Sequence, residues 1–219
     1  MTRYKFALVA VSLMVPLNMF AQVGRLAGQV RAYQRLDSLH PPGKDFVLLV
    51  GSSSFTNWKD VQTYFPEKRI LNRGFGGSTL VDLAHYQEEL ILAYKPKQII
   101  IYCGENDFGV SDTVSVTTVV QRFKSIFQAA RKRHSKTKIS FISMKPSPRR
   151  KHLMNKMALA NHQIAEYLKM QARTSFIDVY HLMLDERGEP IQSLFLADKL
   201  HMNATGYQIW QQAIKPHLK

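Results

Sequence analysis

The amino-acid sequence predicts an α/β fold in which a parallel sheet is sandwiched between helices. Two features carry this reading. Short apolar runs without polar alternation, Phe46 to Val50 and Gln98 to Tyr102 among them, look like strands buried on both faces. Amphipathic stretches between such runs are long enough to serve as β-α-β crossover helices. The chain has 219 residues and 45% apolar residues, enough for one domain with a sizeable core. No internal repeat or low-complexity stretch marks a second domain.

The elements follow in order. Residues 24–37 carry Leu26, Val30, Tyr33 and Leu36 at helical spacing, and His40-Pro41-Pro42-Gly43 ends that helix. Residues 22–44 thus form an N-terminal helix and linker, and residues 45–219 the main domain. Phe46 to Val50 is the first strand. Arg69 to Leu71 begins a second, which runs into the glycine-rich stretch Asn72 to Ser78. Residues 79–93 fit a helix, and Gln98 to Tyr102 a strand. Residues 115–134 form a long amphipathic helix before the strand Ile139 to Ser143. Residues 151–172 are helical and lead to the strand Ser175 to Val179. Residues 203–215 form the last helix, with Asn203 as its cap.

Residues 1–21 have a different character. Arg3 and Lys5 precede an apolar run from Phe6 to Leu17, and Ala21 is a small residue at a cleavage position. This is the build of a secretory signal peptide, cleaved after Ala21, and it predicts a secreted or periplasmic protein. The run is short for a span and Pro16 interrupts it, so no membrane insertion is expected after processing. No cysteine stands at the cleavage point, which argues against a lipid anchor.

Lys plus Arg number 30 against 16 Asp plus Glu, a formal charge of +14. Removal of Arg3 and Lys5 would leave +12. The basic clusters are not interleaved with aromatics as base-stacking surfaces are, so nucleic acid is not an expected partner. The single cysteine, Cys103, excludes an internal disulfide and a cysteine-rich zinc site, and it reads as a buried, inert thiol. The glycine spacing fits neither phosphate-loop pattern, GxxxxGK[ST] or GxGxxG, which weighs against a nucleotide.

Four polar clusters remain. Gly51-Ser52-Ser53-Ser54, Asn72 to Gly77 and Gly104-Glu105-Asn106-Asp107 each follow a strand. Asp198-Lys199-Leu200-His201 precedes the last helix. In parallel sheets, loops after the strand carboxyl ends gather at one edge, where ligands bind. A serine hydroxyl needs a base to take its proton, and histidine, with a reference pKa of about 6.5, suits that task. A carboxylate holds the imidazole in one tautomer, and Asp198 with His201 can supply the pair from one turn. The Asp-x-x-His spacing is read as singling out His201 among eight histidines. Glycine amides and an asparagine side chain can hold an oxyanion; Gly77 and Asn106 fit those roles. Each cluster has an ordinary reading as well. Serines and glycines form turns, Asp107 stabilises its loop, and Glu105 is solvated or structural.

With these residues in order, the chain resembles the SGNH hydrolases, or GDSL esterases and lipases, from about Phe46 to Tyr207. The first block of that family, a strand ending in Gly-Asp-Ser, is similar to Gly51-Ser52-Ser53, with Ser52 in place of aspartate. Ser52 and Ser54 are rival nucleophiles; the alignment places the nucleophile on Ser53. Gly77 aligns with the oxyanion glycine, Gly104 to Asp107 with Gly-x-Asn-Asp, and Asp198 to His201 with Asp-x-x-His. The resemblance implies a flavodoxin-like three-layer α/β/α sandwich and ester or thioester hydrolysis without metal or cofactor. It implies a catalytic set of Ser53, Asp198 and His201, with Ser53, Gly77 and Asn106 forming the oxyanion hole.

The expected activity is ester hydrolysis through an acyl-enzyme, most simply on O-acetyl or short acyl groups of carbohydrate. It should rise with pH as His201 loses its proton. A lysophospholipase or short-chain lipid esterase is the second enzymatic reading, and a ligand-binding module without turnover is the rival from another class. The basic loop after the third long strand holds Lys145, Arg149, Arg150 and Lys151 around Pro146 and Pro148. It is either a solvated loop or a substrate-binding rim, with Lys145, Arg149 and Arg150 selecting anionic substrates. A second basic cluster, Arg131 to Lys138, ends a long helix where cations suit the dipole.

Overall fold

The computed structural model describes residues 17–219. Most of the expected leader, residues 1–16, therefore lies outside the described residues. Helix α1 (Leu17–Leu39) leads to strand β1 (Val47–Gly51), two single-turn helices α2 (Ser53–Thr56) and α3 (Val61–Tyr64), and strand β2 (Ile70–Gly74). Helix α4 (Leu80–His85) and a π-helical segment at Glu88–Leu92 come before β3 (Gln98–Tyr102). Then follow α5 (Glu105–Val110), α6 (Val116–Arg133), β4 (Lys138–Ile142), a 3-10 segment at Pro148–Leu153, α7 (Met154–Lys169), β5 (Thr174–Ile177) and α8 (Ala204–Ile214).

All four strand pairings are parallel, in the order β2-β1-β3-β4-β5. This is the flavodoxin-like order, and its direction reverses between β1 and β3, the point where such sheets bind ligands. Strand alternation divides the core. Leu48, Val50, Ile99, Ile101, Ile139 and Phe141 face one cluster, which α1, α4, α6 and α7 cover. Val47, Leu49, Ile100, Tyr102, Ile142 and Ile177 face the other, which α2, α3 and α8 cover. β1 and β3 are buried along their whole length, as their unbroken apolar runs require. Each fully buried Val, Leu or Ile contributes roughly 1.5–3 kcal/mol.

Two expected helices change form. The stretch 79–93 starts with a capping box between Thr79 and Asp82, but α4 stops at His85 and a π-helical turn takes over. The stretch 151–172 opens within the 3-10 turns that Pro148 initiates, and its α-helical part is Met154–Lys169. The short helices α2, α3 and α5 lie within segments read from sequence as loops. They are too short to show a helical period.

Candidate active site

The site begins where β1 stops. Gly51 has φ +140°, and a Cβ there would lie 1.8 Å from the Tyr102 carbonyl oxygen of the neighbouring strand. Only glycine permits that approach. The chain then turns, the Ser52 N–H donates to Tyr102 O at 2.9 Å, and α2 opens at Ser53. Ser53 is half-buried, whereas Ser52 and Ser54 are each 3% exposed. Phe55 anchors α2 edge-on against Trp210 of α8, with ring centroids 6.0 Å apart.

The loop before α8 carries Asp198 and His201. His201 Nε2 lies 3.1 Å from Ser53 Oγ, and His201 Nδ1 lies 2.5 Å from Asp198 Oδ2. Asp198 is an acceptor, so Nδ1 carries the proton and Nε2 presents its lone pair to the serine hydroxyl. Burial alone would raise the Asp198 carboxyl. Hydrogen bonds from the His201 ring and from the His201 and Leu200 N–H groups outweigh it and hold the group at about 2. The loop is fixed to the helix that Ser53 opens: Tyr207 OH donates to Ser54 O at 2.8 Å, and the Tyr207 ring stacks on Trp58 at 4.8 Å. Asn203 caps α8 by accepting from the Gly206 N–H at 3.1 Å, as expected of that residue.

The loops after β2 and β3 meet beside this triad. Gly77 has φ +77°, the left-handed region that favours glycine. Asn106 Nδ2 donates to Ser78 O at 2.9 Å, which places the asparagine next to the Gly77 segment. Helix α1 braces the same segment from outside. Gln29 Oε1 accepts from the Gly76 N–H at 2.9 Å, Tyr33 OH donates to Gly74 O, and Arg73 pairs with Asp37. Asp107 ties the two loops: its carboxylate accepts from the Leu80 N–H at 2.8 Å and from Arg122 at 2.7 Å. Burial raises the Asp107 carboxyl, and these bonds oppose the shift. Serine, imidazole and carboxylate are thus brought together, with the Gly77 and Asn106 segments joined to each other.

The basic loop is neither simply solvated nor simply a rim. Lys145 is 1% exposed, and its Nζ lies 3.1 and 3.3 Å from the two oxygens of the buried Glu105. It is unavailable to a substrate, which corrects the expectation that it lines the cleft. Arg150 also turns inward, donating to Glu105 Oε1 at 2.8 Å and to Asn106 Oδ1 at 2.7 Å. Tyr102 OH completes the shell around Glu105. Burial lowers the Lys145 ammonium and Glu105 opposes it. Burial would raise Glu105, but Lys145 and Arg150 hold it low. Glu105 is therefore structural and not solvated. Arg149 is exposed, and its backbone N–H donates to Lys199 O at 3.0 Å, beside Asp198. A groove of about 770 Å³ opens there between Pro148, Lys151, Glu189, Gln192 and Lys199.

The Asp-x-x-His spacing does not single out His201. Asp37–His40, Asp82–His85 and Asp178–His181 share it, and in the last of these His181 Nδ1 lies 2.5 Å from Asp178 Oδ2. That pair follows β5 and, among the described residues, no serine hydroxyl bonds its ring. Cys103 is buried, and burial pushes its thiol well up, as expected of an inert group. Among the described residues, no cluster of three His, Cys, Asp or Glu could hold a metal ion, and no helix is long and apolar enough to cross a membrane.

The family model for the GDSL-like Lipase/Acylhydrolase family matches residues 27–209. Among solved structures, the chain is similar to a Streptococcus pneumonia protein provisionally described as a platelet activating factor. Identity is 20%, 92% of this chain and 97% of that one are covered, and the TM-score is 0.78. It is similar to a GDSL-like lipase from Bacteroides thetaiotaomicron, at 21% identity, 90% and 97% coverage, and TM-score 0.73. It is also similar to a carbohydrate esterase family 3 protein from Talaromyces cellulolyticus, at 16% identity, 79% and 95% coverage, and TM-score 0.60. No curated protein matches the chain in sequence.

Proposed function

Since the chain belongs to the GDSL-like lipase/acylhydrolase family and is a carboxylic ester hydrolase, we propose that it is an exported serine esterase acting on O-acetyl or other short acyl groups of carbohydrate. The observation that carries the mechanism is the unbroken line from Asp198 Oδ2 through His201 to Ser53 Oγ, with links of 2.5 and 3.1 Å. Ser53 Oγ attacks the ester carbonyl while His201 Nε2 takes its proton. Asp198 holds the ring in the accepting tautomer and offsets the charge of the imidazolium. The oxyanion is held by the Ser53 and Gly77 amides and the Asn106 side chain; one such donor is typically worth about 2.7–4 kcal/mol. The tetrahedral adduct collapses, the C–O bond to the alcohol breaks, and His201 returns the proton to the leaving oxygen. Water then attacks the acyl-enzyme, gives its proton to His201, and the acid leaves as Ser53 recovers its hydrogen.

The groove bordered by Pro148, Lys151, Glu189, Ile191, Gln192 and Lys199, the last of these next to Asp198 in the chain, supports a hydroxyl-rich alcohol over a long acyl chain. Export rests on the charged, apolar and small-residue order of residues 1–21. A short-chain lipid ester is the second reading, and the name of the Streptococcus pneumonia neighbour favours it. Acid release from a panel of acetylated polysaccharides, simple acetyl esters and lysophospholipids separates the two. Acetate from the polysaccharides supports carbohydrate; turnover of the lysophospholipid alone overturns it. Labelling by a serine-directed phosphonate, lost in Ser53→Ala, tests the nucleophile. An unlabelled wild type would leave a binding module. Recovery of the protein outside the cytoplasm with Gln22 at its amino terminus tests export.

A further inference from the structure

Asn106 can serve an oxyanion only if its amide nitrogen, not its oxygen, faces the reacting centre. A reversed amide would present a lone pair to a developing negative charge. The neighbours of Asn106 settle the orientation chemically. A guanidinium has only donors, so the atom 2.7 Å from Arg150 must be Oδ1. The Ser78 carbonyl only accepts, so the atom 2.9 Å from it must be Nδ2. Nδ2 has two hydrogens, and the Ser78 bond uses one of them. The other remains for the substrate.

From this geometry we propose that Arg150 is a positioning residue of the oxyanion hole, which locks the Asn106 amide in its donating orientation. The role builds on the serine esterase reading of the site. Arg150 suits it because its other nitrogen is anchored. Nη1 donates to Glu105 Oε1 at 2.8 Å, and Glu105 is held in turn by Lys145 and Tyr102. The planar fork spans two consecutive residues of α5, the carboxylate of Glu105 and the amide of Asn106, so its direction is fixed at both prongs. Space is matched as well. A Cβ on Gly109 would come within 3.1 Å of the guanidinium, so the glycine at this turn of α5 leaves room for the fork. Lysine could not replace it: one ammonium lacks the two parallel donors. Arg150 thus works behind the hole and touches no substrate, a different task from selecting anionic substrates at the rim.

A double-mutant cycle on steady-state hydrolysis of an acetyl ester tests the role. Asn106→Ala should lower kcat by roughly 10²–10³. Arg150→Met should lower kcat by about 10–100-fold with KM within about twofold, because the loss falls on the transition state. The double variant should be no slower than Asn106→Ala alone, since Arg150 has nothing left to orient. Multiplying losses would overturn the proposal, as would an Arg150→Met variant with unchanged kcat. Arg150→Lys keeps the charge and serves if Arg150→Met does not fold. Its kcat should fall at least about threefold, and that loss should vanish when Asn106 is alanine. Wild-type kcat in Arg150→Lys would show that charge alone matters and would refute positioning. Wild-type protein that takes no phosphonate label and turns over no ester would refute the serine esterase reading instead.

Discussion

Ser53 Oγ and His201 Nε2 stand 3.1 Å apart although 148 residues of chain separate them. The meeting is built by packing. α8 seats Trp210 and Tyr207 against Phe55 and Trp58, and Tyr207 reaches over to the Ser54 carbonyl. His201 is therefore carried to Ser53 by the same aromatic cluster that covers one face of the sheet.

The two Asp-x-x-His pairs whose side chains bond each other should separate cleanly in kinetics. Ser53→Ala and His201→Ala should each lower kcat on a chromogenic acetyl ester by roughly 10⁶, as knock-outs of a serine or histidine of a triad do. His181→Ala, at the second pair, should stay within about twofold of wild type. A large loss in His181→Ala would reassign the base.

Asp198→Asn should keep the fold and lower kcat by roughly 10⁴, because an amide stabilises the wrong tautomer. Acid behaviour follows from the same carboxylate. Its folded value of about 2 is below its ordinary 3.8. The native state therefore favours the ionised form, and that stabilisation is complete above the ordinary value. It is lost as pH falls from there through about 2. Urea midpoints measured from pH 6 to pH 2 should fall less steeply in Asp198→Asn than in wild type. Equal slopes would show that the native bonds to this group carry no stability.

Glu105→Ala should destabilise the protein by roughly 3–5 kcal/mol, since it leaves the buried Lys145 without its counter-charge. Urea unfolding measures it. Adding Lys145→Met should restore much of the loss. A single variant within 1 kcal/mol of wild type would mean that Lys145 relaxes to water or loses its proton at little cost.

Deletions from the amino terminus should have a sharp threshold. Removing residues 1–21 leaves Gln29, Tyr33 and Asp37 in place, and activity should be retained. Removing residues through Leu39 takes away the braces on Gly76, Gly74 and Arg73. The expected result is a kcat loss of at least about tenfold, or loss of the folded protein, read by ester hydrolysis and circular dichroism. Full activity in the longer deletion would show that the glycine-rich loop needs no outside support.

Much of the fold was legible because buried parallel strands announce themselves. Gln98–Tyr102 has the expected bounds, and β1 is displaced by one residue. The site clusters were legible because each stands at a strand end or a helix start. What escaped was set by tertiary partners. Lys145 and Arg150 look like any basic pair in sequence, and nothing local says that Glu105, 40 and 45 residues away, draws them inward. Glu105 lies between the recognisable Gly104 and Asn106, and its burial under two cations gives no sequence signal. Arg131, in a cluster suited to a helix dipole, instead clasps the carbonyls of Thr137 and Ala172. Asp178 and His181 show the converse: a local spacing, and even its local geometry, recurs where no hydroxyl answers it.

The sheet separates the chemistry into two mechanical halves. The segments bearing Ser53 and His201 root their apolar side chains, Phe55, Met202 and Tyr207, in the layer shared with α8. The segments bearing Gly77 and Asn106 root theirs, Phe75, Leu80 and Phe108, in the layer on the opposite side. Ser53 with His201, and Gly77 with Asn106, are thus founded on separate cores on opposite faces of the sheet. A distant cavity in one layer would therefore loosen one pair of residues and spare the other, so either pair could drift in place without unsettling its counterpart.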